Sequence, residues 1–507
     1  MIVTDQLPIL IPLPLLFVAL LVPLLGLWRS SLAFLLTVLG TSVSLAASVG
    51  ALLEVKSNGT LHYQFGGWAP PLGIEYVVDL MAAFVATIVI GVALLVIIAT
   101  RRMAAQEMPQ RTGSFYGLVG LLLTGLTGMV VTGDLFNLFV FLEIASLAGY
   151  ALVFTGGSKA MMAGFRYLIL GTLGGSFYLL GVGFLYFSTG SLNMADVSAR
   201  LVGIEDSRAV LAGAVFIFVG LGLKMALFPL HLWLPDAYNH APSSVNSLIA
   251  PIMTKVAAYA MLRMFLNVFP PGYLDSVIPL APLLVGLGLV GVVAGSVAAM
   301  VQHDVRRMLA HSSVSQLALI AVGIGLATPL AAAAALLHVM NHAVMKACLF
   351  LVASNVRYRT GDSSIDGFAG LGKRMPVTMG AFTVTAIAMV GIPPTAGFFS
   401  KWYLAQAGID AGNWAVVAVV LLSSLMTGVY MLRILERAYF APSPMREPGL
   451  PEEATSTGLS TATRLATATE AGIDTVVPVA ILAAAAVVLG LANATILTHV
   501  LLPAVGG

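Results

Sequence analysis

The feature that most constrains this chain is a succession of apolar runs, each long enough to cross a lipid bilayer as a helix. About 20 apolar residues span the hydrocarbon core, where a helix satisfies its own backbone hydrogen bonds. Of the 507 residues, 59% are hydrophobic and 9% are charged, whereas soluble domains carry about 25% charged residues. The sequence therefore predicts an all-α polytopic membrane protein.

We place about 14 such runs along the chain. Between them, 60–68 is expected to pair as a short exposed hairpin within 60–74, and 191–201 to form a short interfacial helix. The stretch 440–474, rich in Pro, Thr, Ala and Glu, predicts a flexible linker. The runs lie at about 7–28, 31–53, 75–100, 113–132, 134–154, 161–187, 207–228, 243–268, 275–301, 308–327, 329–355, 376–408, 411–438 and 475–501.

The basic residues of the connecting loops predict the orientation of the chain. Loops after odd-numbered helices hold 16 Lys and Arg, and loops after even-numbered helices hold four. Because cytoplasmic loops carry the excess of positive charge, both termini are expected outside the cytoplasm, in a multi-pass protein of the cell (inner) membrane. The remaining four basic residues fall inside predicted spans or at breaks in them, and no arginine does. They are Lys224, Lys255, Lys346 and Lys401.

Composition and motifs exclude several classes of protein. The net charge of +2 leaves no basic patch for nucleic acid, and the sequence has no phosphate loop, nucleophile elbow or dinucleotide fingerprint. The single cysteine, Cys348, has no partner for a disulfide, a metal site or an iron–sulfur cluster. We expect no cofactor and no catalytic site, so transport would be driven by an ion gradient or a partner protein.

One carboxylate, Glu143, lies near the middle of the fifth run. A charge at mid-bilayer costs about 2.5–3.5 kcal/mol on insertion scales, so such residues are usually functional. One interpretation is a carboxylate neutralised by a neighbour for helix packing. The other is reversible pairing with an intramembrane lysine, because a desolvated lysine can release its proton whereas arginine cannot.

Two runs are interrupted by proline close to a lysine. Lys224 precedes Pro229 and Pro235, and Lys401 follows Pro393 and Pro394. Breaks in corresponding places of two halves point to a transport site, although two ordinary kinks would also explain them. The interrupted runs are the seventh and the twelfth. They are five helices apart, and because five is odd, the two runs cross the membrane in opposite directions.

This offset predicts two inverted five-helix repeats, with broken helices 7 and 12. The first repeat is expected at 113–268 and the second at 275–438. The remaining regions are an N-terminal unit of three helices at 1–112, and a linker with the last helix at 439–507.

The eleventh run places His338, His342 and Lys346 on one helical face at four-residue spacing. Lys255 on the eighth run and His311 on the tenth could extend the same polar row. Two histidines at this spacing can bind zinc, but no third ligand is evident, so we expect no metal. A packed polar face remains possible, and a proton path is favoured.

Four motifs resemble the antiporter-like subunits of respiratory complex I. Within that superfamily, the chain most resembles the D-type subunits of the Mrp multi-subunit cation/proton antiporters, over about residues 65–440. The resemblance implies a fold of 14 helices with two inverted repeats and broken helices 7 and 12. The motifs are GDLFNLFVFLE at 133–143, LKMALFPLHLWLPDA at 223–237, LHVMNHAVMKA at 337–347 and GIPPTAGFFSK at 391–401.

The resemblance also implies roles for single residues. A carboxylate on helix 5 would modulate a proton carrier on helix 7, a lysine on helix 8 would connect it to histidines on helix 11, and a lysine on helix 12 would be the terminal site. Tyr238 stands where many relatives have histidine, and His311 where tyrosine is common, which leaves the exact route open. The residues in these roles are Glu143, Lys224, Lys255, His338, His342 and Lys401, with His311 and Lys346 as secondary candidates.

The implied function is that of a proton-translocating subunit of a Na⁺(K⁺)/H⁺ antiporter, not of an enzyme. Its expected partners are an Mrp A-type subunit and small membrane subunits, with H⁺ and Na⁺ or K⁺ as transported ions. The same fold in a redox-driven complex, of the complex I or membrane-bound hydrogenase type, is the first alternative. A scaffold without transport is the second, and it leaves Glu143, Lys224 and Lys401 without a reason to be ionisable.

Overall fold

The structure, a computed structural model, describes residues 4–204, 206–270, 272–442 and 468–506, and in this part the chain is helical apart from one hairpin. The helices of the first half are α1 (Leu7–Leu10), α2 (Leu13–Gly26), α3 (Ser30–Asn58), α4 (Leu80–Ala99), α5 (Arg101–Glu107), α6 (Thr112–Val131), α7 (Leu135–Phe154), α8 (Ser158–Thr189), α9 (Met194–Leu201), α10 (Arg208–Lys224), α11 (Trp233–His240) and α12 (Ser243–Arg263).

The second half continues with further long helices and ends in short ones. These are α13 (Leu280–Met300), α14 (Val305–Gly325), α15 (Pro329–Thr360), α16 (Leu371–Arg374), α17 (Pro376–Val390), α18 (Ala396–Asp410), α19 (Trp414–Phe440), α20 (Ile473–Leu491), α21 (Asn493–Ile496) and α22 (Leu502–Gly506). Single 3₁₀ or π turns lie at Thr4–Gln6, Phe65–Gly67, Met264–Val268, Tyr273–Val277, Asp366–Phe368 and Leu497–Leu501.

The polytopic all-α fold is confirmed. Within the described residues, 11 helices are long and apolar enough to cross a membrane, and a pair bent by 43° near the N-terminus makes up to 12. A total of 14 requires the two broken pairs, α10 with α11 and α17 with α18, to count as one crossing each. The number 14 therefore stays a prediction.

The predicted hairpin forms with a different second strand. Strand β1 (Leu61–Gln64) pairs antiparallel with β2 (Glu75–Val78), so residues 75–78 belong to a strand and not to the third span. Helix α4 begins at Leu80 because the side chain of Asp79 accepts a hydrogen bond from the Ala82 amide at 2.8 Å.

Both predicted breaks are present at the seventh and twelfth runs. Helix α10 ends at Lys224, and after eight further residues α11 begins at Trp233. Between them Pro229 has no amide hydrogen to continue a helix. Helix α17 is closed by Gly391, which has a left-handed φ of +90°, and α18 begins at Ala396.

The two predicted repeats share local features. Asp134 caps α7 by accepting from the Asn137 amide, and Asp304 caps α14 by accepting from the Arg307 amide. Each aspartate also forms an isolated antiparallel bridge with the segment after the next long helix. The bridge partners are Asn193 and Ser364.

Three helices form the centre of the molecule. In α12, α14 and α15, 94–100% of the membrane-spanning window is buried inside the protein, compared with 33–44% in the outer helices α3, α8, α13, α19 and α20. The central helices carry Lys255, His311 and the histidines of the eleventh run. The polar row predicted from the sequence is thus placed at the most enclosed part of the fold.

Two connecting segments were also predicted. The interfacial helix is present as α9, with Met194, Val197 and Leu201 buried on one face. Residues 443–467 of the predicted flexible linker lie outside the described residues. Its end departs from the prediction, because the Glu470 carboxylate accepts from the Val377 amide at 2.9 Å and holds the start of α17.

Candidate functional site

An ion pair lies at the break of the seventh run. The ammonium of Lys224, the last residue of α10, is 3.0 Å from Oε1 of Glu143 on α7. The same Nζ donates to Ser146 Oγ at 2.7 Å and reaches the Tyr150 hydroxyl at 3.5 Å. The exposed fractions of the two charged side chains are 8% for Lys224 and 22% for Glu143. The pair is half-buried, so water screens its mutual attraction less than it would at a fully exposed site.

Helix α8 leaves room for this ion pair through two glycines. A Cβ atom at Gly175 would lie 2.0 Å from Glu143 Oε1, and one at Gly171 would lie 1.8 Å from the Tyr150 hydroxyl. Neither distance is compatible with a side chain, so the polar atoms of α7 pack directly against the α8 backbone.

Trp233 joins the two halves of the broken helix. Its indole Nε1 donates to the Leu223 carbonyl in the last turn of α10 at 3.0 Å, and this carbonyl also accepts from the Ala226 amide at 3.1 Å. The indole also stacks on Tyr167, with ring centroids 4.2 Å apart. A cavity of about 20 Å³ between these rings and Lys224 is large enough for one water molecule.

Sequence reasoning did not identify the residues that surround this ion pair. Ser146 and Tyr150 follow Glu143 by three and seven residues and therefore lie on its helical face. Gly171 and Gly175 are four residues apart, a spacing that is typical of close helix contacts in membranes. These two spacings are the features of the sequence from which the surroundings of the ion pair could have been predicted.

Lys255 lies in the central helix α12 and is 1% exposed. Its ammonium donates to the Ala250 carbonyl at 2.7 Å and approaches Thr254 Oγ1 at 3.4 Å. Among the described residues, no carboxylate lies within 4 Å of it. Its positive charge is therefore solvated by neutral oxygens alone.

The structure brings His338 and His342 together on α15, with nearly parallel rings 5.9 Å apart. Nδ1 of His338 is 2.9 Å from Ser400 Oγ, whereas its Nε2 and both ring nitrogens of His342 are buried without a protein partner in the described part of the chain. Buried polar atoms are rarely left unpartnered, so these nitrogens point to water or to proton exchange. In the described ranges, no group of three His, Cys, Asp or Glu side chains could hold a metal.

Lys346 connects α15 with α14, the helix that carries His311. The Lys346 ammonium donates to the Leu309 carbonyl at 2.8 Å and to the Ser312 hydroxyl. His311, between these two positions on α14, is half-buried, and its Nδ1 is without a protein partner in the described residues. Lys346 therefore belongs to the central polar region, whereas the structure gives no hydrogen bond between it and His311.

Lys401 lies at the break of the twelfth run. It belongs to α18, and its ammonium donates across the break to the carbonyls of Met389 and Val390, at 3.0 and 3.2 Å. Ser424 Oγ on α19 accepts at 3.2 Å. These carbonyls end α17, where the helix dipole favours a positive charge. Both broken helices thus place an ammonium at their break, but only Lys224 has a carboxylate there among the described residues.

The prediction that no arginine lies within a span is wrong. Arg263, in the last turn of α12, is 7% exposed, and Arg306, in the first turn of α14, is fully buried. Arg263 is paired with Asp79, and Arg306 donates to the Tyr238 and Ala241 carbonyls at the end of α11. A carboxylate thus compensates the buried charge of Arg263, whereas Arg306 is held by two carbonyls through Nη2 and its Nε and Nη1 have no protein partner in the described residues.

A family described as "NADH:quinone oxidoreductase/Mrp antiporter, TM" matches residues 132–427, which contain all the candidate residues above. The chain belongs to this family. It is an antiporter-like membrane subunit, of the class that occurs in both Mrp antiporters and respiratory complexes.

Two curated relatives represent the two branches of this family. The chain is 44% identical to the N subunit of NADH-quinone oxidoreductase from Desulforudis audaxviator, over 98% of both chains. It is 33% identical to the D subunit of a Na⁺/H⁺ antiporter from Alkalihalophilus pseudofirmus, over 78% of this chain and 79% of the relative.

Solved structures of relatives show the same division. The membrane-bound sulfane sulfur reductase, an archaeal respiratory membrane complex, contains a chain that is 31% identical, with a TM-score of 0.87. The Mrp complex from a Dietzia species contains one that is 26% identical, also with a TM-score of 0.87. In both comparisons 99% of this chain and 97% of the other are covered.

Proposed function

We propose that the chain is the proton-translocating subunit of a multi-subunit Na⁺(K⁺)/H⁺ antiporter. The observation that carries this proposal is the Glu143–Lys224 ion pair at a break in a membrane-spanning helix. A fixed structural pair would not need a helix break, whereas a carboxylate that moves relative to a lysine changes the lysine's affinity for a proton. Each tenfold change in that affinity corresponds to about 1.4 kcal/mol.

The proposed relay begins at this ion pair and runs through the central helices. Separation of Glu143 from Lys224 releases a proton toward Lys255, and renewed pairing loads Lys224 again. The residues in order are Glu143, Lys224, Lys255, His338, His342 and Lys401, with His311 and Lys346 as a side branch. The unpartnered nitrogens of the two histidines support this order, because they can accept a proton without first breaking a protein hydrogen bond.

The break at Lys401 supports its role as the terminal site. Its neutral partners, two carbonyls and a hydroxyl, can solvate an ammonium but do not fix it as a carboxylate would. A proton that reaches Lys401 is therefore held weakly enough to leave. This weak hold is what a release site requires.

The proposal also covers the orientation of the chain in the membrane, its internal repeats and its partner subunits. The distribution of basic residues supports an orientation in the cell membrane with both termini outside the cytoplasm. The matching aspartate caps of α7 and α14 support the inverted repeats 113–268 and 275–438. The partners are an Mrp A-type subunit and small membrane subunits, and the chain acts within a secondary transporter without enzymatic activity of its own.

The test of this proposal is cation-driven proton transport in membrane vesicles. Lys224→Ala and Glu143→Gln are expressed with the native partner subunits in a strain without its own antiporters. Each variant is expected to lose most of the Na⁺- or K⁺-driven ΔpH while it assembles normally. Lys159→Ala and Glu436→Gln, two exposed positions, are the matched controls and should transport like wild type. Full transport by both site variants would refute the relay and favour the scaffold alternative.

The redox-driven alternative rests on one observation, the 44% identity to a chain of an NADH-quinone oxidoreductase over 98% of both chains. In such a complex the same relay would be driven by electron transfer in partner subunits. Purification of the intact complex distinguishes the two. A complex that contains only small membrane subunits and an Mrp A-type subunit beside this chain would support the antiporter. A complex that contains flavin or iron–sulfur subunits, and that generates a ΔpH only with an electron donor, would support the alternative.

A further inference from the structure

A polar cavity of about 300 Å³ lies at the end of α12, under the β-hairpin. Its lining residues lie in the last turns of even-numbered runs or in the segments that follow them, so in the proposed orientation the cavity is at the outer face of the membrane. It does not contain any residue of the proposed relay. Its polar lining includes His62, Glu75, Asp79, Thr132, Arg263 and Asn267.

Arg263 lines the membrane side of this cavity. Its guanidinium is paired with the Asp79 carboxylate through two hydrogen bonds, one of them at 2.9 Å, and also donates to Asn267 Oδ1 at 3.2 Å. The Arg263 side chain is 8% exposed. Burial disfavours the charged form of Asp79, but the Arg263 charge and the hydrogen bonds outweigh it and lower the pKa of this carboxyl below its usual value. Both partners therefore stay charged.

A row of polar side chains on α12 leads from Arg263 toward Lys255 of the relay. Lys255, Tyr259 and Arg263 are spaced by four residues and lie on one face of α12. The Tyr259 hydroxyl accepts from Arg263 Nη2 at 2.6 Å and donates to the Val130 carbonyl at 2.8 Å. The Lys255 ammonium bonds to Ala250 and Thr254 and not to Tyr259, so a proton would have to cross one gap to leave by this shorter route instead of the longer one through α15 to Lys401.

A short route to the outside would release protons before they reach Lys401. Lysine and tyrosine can exchange protons, whereas a guanidinium stays protonated in proteins and carries a fixed positive charge. Asp79 offsets most of this charge, so the obstacle is not repulsion: the guanidinium holds the Tyr259 hydroxyl and cannot itself take up and pass on a proton. We propose that Arg263, held in place by Asp79, Tyr259 and Asn267, is the barrier that closes this route and directs protons from Lys255 toward Lys401. This inference rests on the proposed function.

The test is the passive proton leak of membrane vesicles that contain the native complex. In Asp79→Asn/Arg263→Gln both charges are removed together, so no unpaired charge remains buried. The decay of an imposed ΔpH is measured without a Na⁺ or K⁺ gradient and with the membrane potential clamped to zero. We expect this decay to be at least about tenfold faster than in wild type, which corresponds to a barrier lowered by about 1.4 kcal/mol. Asp196→Asn/Arg200→Gln, a surface pair on α9, is the matched control and should not leak.

Two further variants connect the leak to its route. Asp79→Asn alone keeps the Arg263 guanidinium, which still contacts Tyr259 and Asn267, and the assembled complex is expected to leak less than the double variant. A merely structural role of the pair predicts an equal or larger leak, because this variant leaves a buried charge unpaired. Adding Lys255→Met to the leaky double variant should remove the leak, because the route then lacks its inner end. Lys255→Met is tested only in this background.

The outcomes separate this inference from the proposed function. An assembled Asp79→Asn/Arg263→Gln complex without a leak, a leak that persists with Lys255→Met, or a leak of Na⁺ in place of H⁺ would each overturn the barrier. The proposed function fails in a different experiment, if Lys224→Ala transports like wild type. If the barrier hypothesis is refuted, the relay can still be tested, and if the relay is refuted, the proton leak can still be measured.

Discussion

At the scale of single residues, function depends on what each buried lysine contacts. Lys224 has a carboxylate within 3.0 Å, whereas Lys255 and Lys401 contact only neutral oxygens among the described residues. In the proposed relay, attraction to Glu143 makes Lys224 a controllable proton carrier, while the other two would hold a proton through weaker dipoles. The buried arginines, Arg263 and Arg306, cannot take part in exchange. The choice between lysine and arginine therefore separates the proposed carriers from fixed charges.

Lys401→Arg is expected to abolish proton transport. Arginine keeps the positive charge at the end of α17 but cannot release a proton at any accessible pH. The measurement is cation-driven ΔpH in vesicles with equal amounts of assembled complex. Lys373→Arg, at an exposed position on the short helix α16, serves as the control. Wild-type transport by Lys401→Arg would exclude proton carriage at this position.

Gly175→Ala is expected to displace Glu143 and to impair transport severely. The new Cβ would lie 2.0 Å from the Glu143 carboxylate, and because this is the flexible end of its side chain, the carboxylate is expected to shift away from Lys224 at little cost in stability. Gly183→Ala on the same helix meets nothing within 4 Å and is the matched control. Transport activity and thermal stability are measured for both variants. Equal activity of the two would contradict the close approach of α8 to the carboxylate.

At the scale of secondary-structure elements, the sequence predicted the runs and the breaks but not the contacts between elements. The apolar runs and the prolines after Lys224 are local signals, so the spans and the broken helices could be placed. The spacing of His338 and His342 placed their rings together for the same reason. By contrast, the apolar pattern predicts a helix for the residues of β2. They form a strand because they pair with β1, and this pairing depends on packing that a local pattern does not indicate. The Asp79–Arg263 pair joins residues 184 positions apart, and no local pattern indicates it.

The link between α4 and α12 predicts a pH-dependent stability. Because the pKa of Asp79 is lowered in the folded state, its contribution is present above the unfolded pKa of about 3.9 and is lost as pH falls through the lower folded value. The thermal unfolding midpoint of wild type is therefore expected to fall more steeply below about pH 4 than that of Asp79→Asn/Arg263→Gln. Parallel pH profiles would contradict this assignment.

At the scale of the whole molecule, burial separates the helices of the proposed relay from a shell of more exposed helices. The central helices α12, α14 and α15 are almost entirely enclosed, and each carries a candidate proton-path residue. The broken helices place Lys224 and Lys401 at two different breaks, and the proposed route between them passes through this enclosed centre. Family membership is shown by the sequence itself, whereas the choice between a cation-driven and a redox-driven complex depends on partner subunits.

Lys224→Arg is the most direct test of the central claim, that release of a proton from Lys224 drives transport. Arginine retains the charge and the ion pair with Glu143 but not the ability to release a proton. We predict that the complex containing this variant assembles in normal amounts and generates no cation-driven ΔpH in vesicles. A wild-type ΔpH from the same variant would show that Lys224 serves only as a fixed charge, and would contradict the relay.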